Sequence, residues 1–130
     1  MTFPAPAMRE RYLTDSIATA PPAKLLMMLY DRLVLDLARG EQALLDGDRV
    51  EARSHLMHAQ EIVLELQVSL NLEVWEGAVG LARLYAFVTT ELINANVQGD
   101  PGRVKGCRDL IEPLRDTWRE AALATAPAAG

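Results

Sequence analysis

A chain of 130 residues with a formal charge of −5 is one domain, long enough to bury roughly two-thirds of the surface its unfolded form exposes. Its arginines are interleaved with Asp and Glu, which argues against the basic patch that a nucleic-acid partner needs. The single cysteine, Cys107, excludes an internal disulfide and fits a reducing cytosol, and no apolar run reaches the length of a membrane span.

Residues 1–20 combine Pro4 and Pro6 with scattered apolar side chains, among them Phe3, Met8, Tyr12, Leu13 and Ile17, and lack a sustained period. They read as an N-terminal arm. Burying each large apolar side chain is worth about 1.5–3 kcal/mol, so the arm is expected to dock rather than hang in water. No basic segment leads into an apolar one there, so the chain reads as cytosolic.

The first helix is expected from about Pro22, whose fixed φ suits the first helical position, to about Asp46. Its opening turns hold Leu25, Leu26, Met27, Met28, Leu29 and Tyr30, an apolar run that covers every side of a helix. Burial on more than one side follows, against partner helices and against a ligand or the arm. Asp46-Gly47-Asp48 supplies a stop, and Asp48 with Glu51 has the spacing of a capping box for the next helix. So short a connection makes the second helix antiparallel to the first.

The second helix carries Leu56, Ala59, Val63, Leu66 and Leu70 in steps of three and four, with Ile62 widening the stripe. After a break at residues 71–74, Trp75 leads into a third helix with Val79, Ala82, Leu84, Tyr85, Val88, Leu92, Ala95 and Asn96 on its core side. Gly99 ends it, and Asp100-Pro101 starts a fourth built on Val104, Cys107, Ile111, Leu114 and Trp118, with Pro113 as a local kink. The fold class is all-α: an antiparallel up-down four-helix bundle with an N-terminal arm. The arm occupies residues 1–20, the bundle 21–122 and a disordered tail 123–130.

Chemistry is sparse in this sequence. Glu51, His55 and His58 share one face of the second helix, a spacing compatible with a metal ion but equally with surface residues. There is no phosphate-binding glycine pattern and no plausible nucleophile-histidine pairing, so the reading is a non-enzyme without cofactor or metal. Tyr30, Tyr85 and Trp118 are expected to serve the fold, their polar tips reaching partners near the surface. Met27 and Met28 fit either core filling or a cleft that adapts to a bound helix.

Assembled, the order Tyr12, Ile17, Thr19-Ala20-Pro21-Pro22, Leu25-Leu26-x-Met28-Leu29-Tyr30-Asp31, Ala59-Gln60-x-Ile62-x-x-Glu65-Leu66, Leu84-Tyr85-x-Phe87, Asn94-x-Asn96 and Leu114-Arg115-Asp116-x-Trp118 resembles the flagellin export chaperone family. Pro21 stands where that family usually has serine, which removes a side-chain cap from the first helix. The resemblance implies a cytosolic bundle that binds the disordered C-terminal segment of flagellin, prevents premature polymerisation and delivers the client to a component of the type III export gate. It implies a monomer or weak dimer with no nucleic-acid partner and no membrane insertion, and an arm that can lie over part of the client site. Tyr12, Ile17, Leu25, Met28, Leu29, Ile62 and Leu66 are the candidate residues of the groove and arm. A structural or homo-oligomeric bundle without a flagellin client is the competing reading.

Overall fold

The structure is a computed structural model and describes residues 22–70 and 77–125. Four helices follow one another: α1 (Pro22–Leu45), α2 (Arg49–Ser69), α3 (Gly77–Gln98) and α4 (Pro101–Thr125). Each packs on its predecessor and α4 closes on α1, an antiparallel ring of four. Of the sequence expectations, Tyr12 and Ile17, the arm and Trp75 lie outside the described residues.

Periodicity placed the core well. Leu33 and Leu37 of α1, Leu56, Ala59, Val63 and Leu66 of α2, Val88, Leu92 and Ala95 of α3, and Val104, Cys107 and Ile111 of α4 are all buried. Two expectations fail. Val79 lies about 180° around α3 from Val88 at 100° per residue and points to solvent, not into the core. The fourth helix does not stop at Ala122 but continues to Thr125, because the closing run Ala121-Ala122-Leu123-Ala124 favours helix strongly.

Both tight turns are built alike. Gly47 and Gly99 adopt φ of +76° and +67°, and the next residues, Asp48 and Asp100, donate their backbone N–H to the carbonyls of Ala43 and Ala95 at 2.9 and 3.0 Å. These are paired helix-stop motifs whose left-handed residue is glycine for steric reasons. Each aspartate then caps the helix that follows, Asp48 Oδ1 accepting from Glu51 N–H (3.0 Å) and Asp100 Oδ1 from Gly102 N–H (2.9 Å). Arg49 Nη2 donates to the carbonyls of Asn96 and Val97, so the start of α2 caps the end of α3. Both turns therefore share one pole of the bundle.

The two glycine classes make opposite predictions. A Cβ on Gly99 would lie 2.5 Å from Arg49 Nη1 on a left-handed backbone, whereas one on Gly106, inside α4, meets nothing within 4 Å. Gly99→Ala should lower stability by at least about 1–2 kcal/mol from the backbone alone. Gly106→Ala should raise it by up to about 1 kcal/mol. Urea unfolding of the two variants checks both signs.

Each interface of the ring is crossed by a polar link. His58 of α2 meets the fully buried Asp36 of α1. Arg108 of α4 donates to Glu41 of α1 through Nη2 (2.6 Å) and Nε (3.2 Å), and Arg119 reaches Asp31. Arg103 of α4 donates to Glu91 of α3 at 2.7 Å. Such links fix the sliding register that apolar stripes leave loose.

Candidate functional site

The pole opposite the two turns is where α1 begins and α2 and α4 end. Leu26 and Leu29 of α1, Leu70 at the end of α2, and Leu114 and Trp118 of α4 are half-buried there, packed on the edge of the core. The run at residues 25–30 is thus shared between core and surface: Tyr30 is buried, Leu25, Leu26, Met27 and Leu29 are half-buried, and Met28 is 48 % exposed. Leu25 and Leu29 stand one turn apart, so Leu25, Met28 and Leu29 form an accessible apolar edge.

Ile62 and Leu66, the other described candidates for the groove, retain only 6 % and 2 % exposure. They belong to the core floor beneath that edge. Sequence reasoning passed over Leu26 and Leu70 as site residues. The usable signal was position, since Leu70 is the last member of the α2 stripe and a core stripe loses its cover where its helix ends.

Beneath the edge lies a buried polar contact. The hydroxyls of Tyr30 on α1 and Tyr85 on α3 meet at 2.5 Å across the bundle diagonal, and Trp118 lies within reach of the Tyr30 hydroxyl. The expectation of surface partners fails for both tyrosines: their tips satisfy each other inside, which removes the penalty of burying either alone. Burial pushes the pKa of both hydroxyls up, and it pushes that of the Cys107 thiol up to about 12, Glu91 adding a smaller push. A raised folded-state value means stability that is intact below the unfolded value and declines as pH climbs toward the folded one. The bundle should therefore weaken from about pH 9–10 upward, near the ordinary range of thiol and phenol. Denaturant unfolding followed across this alkaline range should show stability falling, with less of a fall in a Tyr30→Phe, Tyr85→Phe double variant.

The two histidines do not converge. His55 Nε2 pairs with Glu51 Oε1 of its own helix at 2.9 Å, while His58 turns toward Asp36 on α1. Among the described residues no group of three His, Cys, Asp or Glu side chains is placed to hold a metal ion, and no helix is long and apolar enough to cross a membrane.

A four-helix ring with an apolar edge at one end does not by itself name a family, and comparison with known proteins does. Residues 5–125 match the family described as FliS, Flagellar protein FliS. The chain belongs to the FliS family. Among FliS relatives, the flagellar secretion chaperone FliS of Bacillus subtilis is 28 % identical over 85 % of this chain and 82 % of its own. That of Vibrio cholerae is 24 % identical over 86 % and 83 %. A crystal structure of a flagellar chaperone from bacteria superposes with a TM-score of 0.73 at 20 % identity, covering 91 % of this chain and 97 % of the other, and supports the fold.

Proposed function

We propose that this chain is a cytosolic flagellar secretion chaperone that binds the disordered C-terminal segment of flagellin, keeps it from polymerising early and passes it to a component of the type III export gate. It acts by binding, as a monomer or weak dimer, and without catalysis. The family match across residues 5–125 carries this reading. The accessible apolar edge at Leu25, Met28 and Leu29 supports it physically. A disordered client must offset an ordering cost of about 2–5 kcal/mol, and apolar contact is the means available to it.

Titration calorimetry of the intact chain with the C-terminal segment of flagellin from the same organism tests the proposal. The expected result is saturable binding at one site per chain, a gain of helix in the client, and suppression of flagellin polymerisation. A well-folded chain that keeps its elution volume, gives no heat and leaves polymerisation unchanged would refute it. If that chain is also a stable dimer, the homo-oligomeric reading takes its place.

A further inference from the structure

The register of α4 against α1 follows from two ion pairs. Arg108 meets Glu41 and Arg119 meets Asp31, so α4 advances from 108 to 119 as α1 runs back from 41 to 31. Carried one turn further, that register sets Leu123, four residues after Arg119, level with Met27 and Met28, four and three residues before Asp31. This is the part of α1 that carries the surplus apolar run.

Past Trp118, α4 buries little: Ala122 is half-buried, and Arg119, Glu120, Leu123 and Ala124 are exposed. Its helical form there rests on the alanine-rich run more than on packing. A leucine in water needs no explanation by itself. What distinguishes Leu123 is its place. It is 72 % exposed and stands across the α1–α4 seam from Met28, itself 48 % exposed, so it continues the apolar edge of Leu25, Met28 and Leu29 onto a second helix. The Arg119–Asp31 pair bounds that edge one turn away, with both side chains half in water. So exposed a pair adds little to global stability, but it ties α4 to α1 where the core is running out.

We infer that the last two turns of α4, residues 119–125, are a second wall of the client site. Leu123 contacts an apolar side chain of the bound client helix, which lies over Met28, and the Arg119–Asp31 pair holds the wall in position. The inference rests on the reading of the chain as a flagellin chaperone and extends the site of that reading across the seam from α1 to α4. It requires a client helix whose large apolar residues recur at steps of three and four, a stripe wide enough to touch both helices. Arg119 and Asp31 are positioning residues that act through the placement of Leu123.

Calorimetry of the intact chain with the C-terminal flagellin segment, beside denaturant unfolding of each variant, tests this. Leu123→Gln should weaken binding at least about fivefold with an unchanged unfolding midpoint, since glutamine matches leucine in helix propensity. Val50→Gln, at an exposed apolar position beside the turns, should leave binding as it is. Arg119→Asp and Asp31→Arg should each weaken binding at least about threefold, and the charge-swapped double variant should recover most of the loss. A photo-activatable residue at position 123 should link to the client when the client is present. No binding by the parent chain would overturn the chaperone reading and this inference with it, whereas binding that Leu123→Gln leaves unchanged would overturn this inference alone. A double variant that stays as weak as the single ones would overturn the positioning role of the pair. A link from position 123 to residues 1–20 of the same chain, or to a second copy, in place of the client would give the wall to that occupant and overturn the inference.

Discussion

Replacing His58 by leucine is expected to destabilise the bundle by about 3 kcal/mol, a large fraction of the stability of a domain this size. Asp36 is fully buried, and a carboxylate withdrawn from water is tolerable only if cationic or hydrogen-bonding partners replace the solvent. His58 Nδ1 meets Oδ2, and Arg32 Nε stands 3.3 Å from Oδ1. The remaining arginine keeps the loss at the lower end of the range for stranded buried charges. The double variant His58→Leu, Asp36→Leu should regain most of it, because removing both partners leaves no orphaned charge. Guanidinium unfolding of the single and double variants decides the matter. A single variant within about 0.5 kcal/mol of the parent would mean that Asp36 is sustained by Arg32 alone.

Leu66→Ala is expected to cost about 2–5 kcal/mol, the range for deleting a fully packed leucine side chain. The contrast with Met28→Ala gives this variant its second use. Met28 is half-exposed, so its truncation should change stability by less than about 1 kcal/mol while weakening capture of the client. If Leu66→Ala leaves stability intact and abolishes binding, Leu66 belongs to the contact surface and the floor described above is misassigned.

The contrast between these residues shows how far the sequence could be read. Periodicity within one helix identifies a face, and that was enough to find Leu56, Ala59, Val63 and Leu66 as core, while local chemistry announced the caps at Asp48 and Asp100. What periodicity cannot supply is which residue of one helix stands opposite which residue of another. Nothing in the spacing of His58 indicated a partner on α1. The spacing instead placed it on one face of its own helix with His55, three residues before it, and Glu51, four residues before His55. The same gap hid the meeting of Tyr30 with Tyr85, since their positions said only that both lie near the core. In the candidate site, the apolar run at residues 25–30 was legible as surplus, but its division into a buried tyrosine, half-buried leucines and an exposed methionine depends on where neighbouring helices end.

Placing both glycine turns and the Arg49 cap at one pole has a kinetic consequence. Local opening in a protein spreads from the regions with the fewest cross-connections, and backbone amides report it through their exchange with heavy water. The amides of the helix ends joined at the two turns should therefore exchange late, held by the glycine stops, the aspartate caps and Arg49. Among the described residues, that pole is the spine along which the four helices are bound.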